Sequence, residues 1–313
     1  MSETTEKQGF PAISFARKIV QIMSFIGINF IALELIFNIS LSTFKEFTYA
    51  YPFIHTPRDS WSVGAGFFEY IFFSLIEGEI PWLLIGVFFL TILVTARFFC
   101  GWVCPVGFIQ DILAILPKKV RKFKLDTDKS VKKIKFWILG LLIIVAIFFG
   151  AIHEINLTLF ITWQTEIGGF LNKPMAGFSL SEFLFYTLPE GIKDSFAEGS
   201  VNPLFSNTWQ VIAFLFYIIV LAMSAYYPRF YCRSLCPYGA GAAFVTEYSL
   251  LRLGRNPVKC VGRRECGICE KVCPMQIRIL DEPFDGFTGE GECILCGRCK
   301  EACPHEAIEI KFG

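Results

Sequence analysis

Charge is scarce in this sequence. Asp, Glu, Lys and Arg make up 18% of its 313 residues, where an ordinary soluble domain carries about 25%. That shortage, with a mean hydropathy of +0.52, argues against a free cytosolic enzyme. Histidine is almost missing: His55, His153 and His305 are the only three. A bis-His haem in a membrane needs two on facing helices. Only His153 lies near an apolar run, so no haem is expected. The formal net charge is +1. It gives no polyanion-binding signature, and nucleic acid is not an expected partner. No small-residue cleavage site follows the first apolar run, which therefore reads as an anchor and not as a signal peptide. Twelve Cys in a chain of this length fall short of the density of a small disulfide scaffold.

Apolar residues are abundant instead, with a hydrophobic fraction of 54% and 35 Phe. Four stretches approach the roughly 20 residues that cross a bilayer: 19–41, 81–99, 136–151 and 209–227. The third is short unless His153 and Ile155 lie at its outer edge. A fifth stretch, 67–76, is too short to span, carries Glu69, and reads as an interfacial helix. Basic residues orient the spans. Segment 118–135 holds nine basic residues and two acidic ones. The loop over 42–80 has only Lys45 and Arg58, and the loop over 156–208 only Lys173 and Lys193. The expectation is a multi-pass protein of the inner (cytoplasmic) membrane. Its N-terminus, middle loop and C-terminal tail are cytoplasmic, and the two sparse loops lie outside.

A repeat reinforces this organisation. Arg97, Cys100, Cys104, Pro105 and Gly107 recur in register as Arg229, Cys232, Cys236, Pro237 and Gly239. Each copy ends a pair of spans, which predicts a four-span bundle built from two repeated helical hairpins, with both motifs at one face. Cysteines four apart share a helical face, and the following proline disfavours helix at the preceding Cys. Each pair therefore presents two thiolates where a span ends. Cys100, Cys104, Cys232 and Cys236 together match the ligand count of one iron–sulfur cluster; a redox-active dithiol or a zinc site are the alternatives.

From about residue 256 the apolar runs stop, and the last 58 residues hold eight Cys. Cys293, Cys296, Cys299 and Cys303 follow the bacterial C-x2-C-x2-C-x3-C-P run, whose fourth Cys serves the other cluster. Cys260, Cys266, Cys269 and Cys273 form a similar run whose opening spacer is five residues. The crossed rule assigns Cys260, Cys266, Cys269 and Cys303 to one 4Fe–4S cluster, and Cys293, Cys296, Cys299 and Cys273 to the other. The predicted domains are an N-terminal tail (1–18), a membrane domain (19–255) and a small α+β two-cluster ferredoxin-like domain (256–313). A cut near Arg255 is expected to release the last as a soluble fragment.

Other residues carry weaker signals. Glu34, inside the first span, is a candidate quinone-site proton carrier, because intramembrane carboxylates are often functional. A helix interface or a polar cavity would also explain it. Arg97 and Arg229 are expected to snorkel to lipid headgroups, and offsetting the charge of thiolate-bound iron is compatible with that role. His305, beside the second ferredoxin run, is expected to be solvated. The G-x-G within residues 238–243 follows a span and not a strand, so no NAD site is expected.

Four spans, two C-x3-C-P motifs at the ends of the second and fourth, and the C-terminal eight-Cys region together resemble the NapH family of membrane polyferredoxins. These are membrane components of quinol-dehydrogenase modules, related to the membrane core of NosR and to MauN-type proteins. The resemblance covers roughly residues 15–313. It implies an electron-transfer subunit working between the quinone pool and a partner redox protein. NosR-type members add a flavin-bearing domain, for which this chain has no room. Residues 285–291 faintly resemble a covalent-flavin sequence, but Gly291 stands where the acceptor Thr would be, so no flavin is expected. An accessory protein that reduces a metal centre elsewhere for maturation is the competing function, and a scaffold stapled by its clusters is the third.

Overall fold

The computed structural model describes residues 12–28, 67–117, 121–172, 175–198 and 208–313. The chain is mostly helical. Its helices are α1 (Ala12–Ile28), α2 (Phe67–Ile76), α3 (Trp82–Thr95), α4 (Phe98–Trp102), α5 (Pro105–Leu113), α6 (Leu125–Ile155), α7 (Leu157–Asn172), α8 (Leu188–Glu198), α9 (Thr208–Tyr226), α10 (Phe230–Ser234) and α11 (Pro237–Thr246). The tail adds β1 (Leu251–Arg255), α12 (Gly262–Glu265), α13 (Ile268–Val272), α14 (Arg298–Glu301) and β2 (Ile308–Phe312).

Among the described residues one helix, α6, is long and apolar enough to cross a membrane. Its 31 residues make a rod of about 46 Å. Asp126 and Asp128 occupy its first turn, where the helix dipole favours carboxylates, and His153 lies in its last. The helix therefore extends past the predicted third span at both ends. Leu139, Leu142, Ala146 and Phe149 face the core, while Trp137, Leu141, Ile144 and Ile147 are exposed. A helix apolar on all sides suits lipid or a large core.

The predicted second span is broken. After the 14 residues of α3 the backbone turns at Ala96, with φ +53°, and α4 follows. The predicted fourth span, α9, also ends before a positive-φ residue, Arg229 with φ +58°, one position later in the repeat register than Ala96. Each short helix then stops at an extended Cys, Cys104 or Cys236, and a proline at N1 starts the next helix. Proline is pre-organised for that position and its missing N–H is not needed there. The two halves thus repeat in backbone as well as in sequence.

One expectation is corrected. Helix α2 is not interfacial: Phe68, Ile71, Phe72 and Ile76 are buried and α2 packs against α6 and α3. Glu69 is buried as well, and its Oε1 accepts from the Met175 N–H at 3.2 Å. Residues of the stretch 156–208 also contribute to the packed interior. Leu180 and Phe183 pack with Val106, Tyr231 and Cys232, so part of this stretch enters the core, beside the second Cys pair.

The tail is tied together by an antiparallel pair, running from Leu251 opposite Phe312 to Arg255 opposite Ile308. Strand β1 lies just before residue 256. A cut at Arg255 removes β2's partner, and a fragment that keeps the sheet must begin before Leu251.

Candidate metal centres

None of the twelve cysteines forms a disulfide, and the fold gathers them into three groups of four. Cys100, Cys104, Cys232 and Cys236 line one cavity of about 40 Å³, brought together by the breaks at the two repeats. Cys273, Cys293, Cys296 and Cys299 surround a second, of about 20 Å³. Cys260, Cys266, Cys269 and Cys303 surround a third, also about 20 Å³. Each tail cavity thus takes three cysteines from one run and one from the other.

Among the described residues no three His, Cys, Asp or Glu side chains converge tightly enough to hold a single metal ion. Four thiols spread around a central space instead fit a polynuclear cluster, which bears one thiolate at each corner. Backbone donors are already aimed at the sulfurs. The Ile277 N–H reaches Cys273 Sγ at 3.5 Å, the Ala307 N–H reaches Cys303 Sγ at 3.4 Å, and the Gly239 N–H reaches Cys236 Sγ at 3.3 Å. Gln110 Nε2 approaches Cys232 Sγ at 3.0 Å. Such N–H···S contacts tune cluster potential.

Burial pushes the thiols of Cys269, Cys273, Cys293 and Cys299 up, Cys293 to about 12 and Cys269 to about 11. A dithiol catalyst needs a lowered thiol pKa, the opposite of the direction at these four. A bound cation that withdraws the protons suits them better.

Cations surround the first cavity. Arg97 and Arg229 do not snorkel; both are buried and paired, which corrects the sequence expectation. Arg229 Nη2 meets Asp111 Oδ2 at 2.7 Å, and its Nη1 donates to the Cys100 carbonyl at 2.6 Å. Arg97 Nη1 meets Glu292 Oε2 at 2.8 Å, while Lys135 Nζ pairs with Glu292 Oε1. The arginines cross between repeats. A Cβ on Gly107 would collide with the Arg229 guanidinium, and one on Gly239 would lie 3.0 Å from Arg97 Nη2. The glycine of each motif leaves room for the arginine of the other. Arg97 lines the cavity, and its buried Nε and Nη2 find no hydrogen-bond partner among the described residues. An anionic group within the cavity would satisfy that charge. Burial opposes ionisation of Glu292, but Arg97 and Lys135 outweigh it and hold its carboxyl below the usual range.

The sequence reading missed Asp111, Gln110, Arg233, Lys135 and Glu292. Buried Arg233 pairs with Asp128 and donates to Gln276 Oε1 at 2.7 Å. The repeat register marks all but Lys135 and Glu292, since Gly101, Gln110 and Asp111 correspond to Arg233, Ala242 and Ala243. Of the remaining candidates, His305 is exposed yet borders the third cavity. Trp102, at the end of α4 and not among those candidates, donates from Nε1 to the Leu295 carbonyl at 2.9 Å. Glu34 and His55 lie outside the described residues. The basic stretch is partly engaged by the tail, with Lys122 Nζ on the carbonyls of Glu270 and Lys271.

Comparison with known proteins finds iron–sulfur families on the cysteine-bearing segments. A 4Fe-4S binding domain family matches residues 80–124 and 209–255, the two repeats. A 4Fe-4S dicluster domain family matches residues 259–308. An uncharacterized protein of Methanocaldococcus jannaschii is 26% identical over 221 residues, 69% of this chain and 65% of that protein. The putative electron transport protein YccM of Escherichia coli is 28% identical over 244 residues, 74% of this chain and 57% of YccM. Ferredoxin-type protein NapH of Haemophilus influenzae is 24% identical over 224 residues, 69% of this chain and 62% of NapH. The chain thus spans less than two thirds of these relatives. No solved structure matches it.

Proposed function

We propose that this chain, which belongs among the NapH-type polyferredoxins, carries electrons across a membrane surface between the quinone pool and a partner redox protein. One observation carries the reading: twelve cysteines in three groups of four, each around its own cavity. Two 4Fe–4S clusters in the tail and a third iron–sulfur cluster between the repeats would supply one-electron transfer. The crossed ligand sets are Cys260, Cys266, Cys269 and Cys303, and Cys273, Cys293, Cys296 and Cys299. Cys100, Cys104, Cys232 and Cys236 hold the third. The protein's own part is to fix these thiolates, to exclude water with buried walls, and to balance their charge with Arg97 and Arg229.

Membrane residence is supported by α6 and by the exposed apolar faces of α3 and α9, on which Leu83, Leu90, Leu215 and Ile219 are exposed. Large uncovered apolar surfaces of this kind mark a lipid or protein contact. In this reading a multi-pass domain precedes the cytoplasmic tail. A shared side for N-terminus, basic loop and tail is supported by contacts. The N–H groups of Ile13 and Ser14 reach Glu301 Oε1 at 3.0 and 3.2 Å, and Lys122 binds the tail as described. Quinone approaches the repeats from the lipid side, with Glu34 as proton carrier.

Iron and sulfide quantitation on anaerobically purified protein tests the reading. About twelve iron per chain is expected for three cubanes, falling to about eight in the Cys100→Ser/Cys232→Ser double variant. Zinc in place of iron, or eight iron unchanged in the double variant, overturns it in whole or for the repeat centre.

A further inference from the structure

The two tail cavities are not equivalent with respect to the repeats. The segment Gly291–Leu295 lies directly on them. Gly291, with φ +77°, sits so close to Ala243 that a Cβ would strike its carbonyl oxygen. Gly101, next to Cys100, is approached by the Ile294 carbonyl with no room for a Cβ. Trp102 holds Leu295 by its indole N–H. Between these contacts Glu292 inserts its carboxylate, 3% exposed, between Arg97 and Lys135.

The repeat explains why a carboxylate is needed there. In the first repeat Asp111 receives Arg229. The matching position in the second repeat is Ala243, so that repeat offers Arg97 no acid of its own. The tail supplies it. We propose that Glu292 is a positioning residue that completes the second repeat from outside and thereby seats the Cys273/Cys293/Cys296/Cys299 centre against the Cys100 side of the repeat centre. Electrons cross where Cys100–Gly101 meets Cys293–Ile294. The Cys260/Cys266/Cys269/Cys303 centre is the outer station, facing a soluble partner. This order rests on the electron-carrier reading above.

The test uses the full chain in liposomes, in two variants. Glu292→Gln keeps the shape of the side chain and removes its charge. Lys135→Met removes one of the two cations from a helix that bears no cysteine. Two readouts apply. Hydrogen exchange at the amides of residues 291–295 reports the seat independently of electron transfer. Reoxidation of the dithionite-reduced protein is followed with two oxidants. Decylubiquinone takes two electrons from the protein and two protons from water to become the quinol, and enters from the lipid. Ferricyanide takes one electron and reaches the outer centre from water.

In Glu292→Gln, exchange at 291–295 and the quinone reaction should change by about tenfold or more, faster and slower respectively, because a step that depends on fixed geometry is sensitive to displacements of an ångström. Iron content and the ferricyanide rate should stay as in the parent. Lys135→Met should move both readouts the same way by less. Parental exchange and parental quinone rates in both variants overturn the inference. So does loss of iron with equal slowing by both oxidants in both variants, since Glu292 would then be structural only. A parent with far fewer than about twelve iron, or one that decylubiquinone does not oxidise, is instead a failure of the electron-carrier reading, and the exchange measurement still decides the seat.

Discussion

Residues 97–113 and 229–246 have one backbone plan and unlike neighbours. Both place an arginine before a Cys pair, a proline after it, and a glycine under the partner's arginine. They differ where the tail lands. Gly101 of the first repeat admits the Ile294 carbonyl, while Arg233 of the second binds Asp128 and Gln276. Asp111 of the first gathers Arg17, Arg229 and Arg298 within 3.5, 2.7 and 3.6 Å. Ala243 of the second leaves its place to Gly291 and Glu292. A two-fold arrangement suffices to build a four-thiol centre. The single, asymmetric tail docks on it at positions where the two repeats diverge, Gly101 against Arg233 and Asp111 against Ala243.

The comparison can be broken at four points, in falling order of effect. The shared part should fail first. Cys100→Ser/Cys232→Ser should remove about four iron per chain and leave the tail's eight, whereas Cys299→Ser should damage one tail centre and leave the repeat centre intact. EPR together with iron analysis separates the two cases.

Next comes the first repeat's own acid. Asp111→Asn strands three arginines around a neutral amide. Removing one partner of a buried ion pair costs about 3–5 kcal/mol, and unfolding in detergent should register a loss of that order. A loss no larger than that of an exposed substitution would mean that Asp111 is solvated and does not anchor Arg229.

Restoring the symmetric residue should harm the second repeat. Ala243→Asp puts a side chain where Gly291 presses, and overpacking of a filled site costs about 1–3 kcal/mol. The sign is the informative part. Stabilisation would mean that the tail can retreat without cost. The smallest effect belongs to the glycines under the arginines. Gly107→Ala meets Arg229 more closely than Gly239→Ala meets Arg97. The first should therefore lower stability by about 1 kcal/mol more than the second, and equal effects would contradict the crossed arrangement.

How far the sequence could be read followed from chain separation. The C-x2-C-x2-C-x3-C-P run is a local pattern, and the crossed assignment to two tail centres needs only its spacing. The four repeat cysteines were legible because a motif met twice implies two like helix ends. The arginines were misread as lipid anchors. Charged residues at the end of an apolar run usually find water, and their partners here lie far along the chain: 195 residues from Arg97 to Glu292 and 118 from Arg229 to Asp111. Helix α2 was misread for a related reason. A ten-residue, mostly apolar stretch that includes Glu69 looks interfacial until α6 and Met175 supply the cover.

Sequence by itself thus determined the cysteine spacings, the pair of repeats and the apolar character of the helices. Each of these is written in spacing or composition, which survive without a fold. Tertiary structure decided which tail cysteines lie nearest the repeats, which acid each buried arginine meets, and that part of the stretch 156–208 packs beside the second Cys pair. Those depend on burial. A guanidinium removed from water must find a carboxylate wherever the packed chain brings one, and in the second repeat the packed chain brings it from the tail.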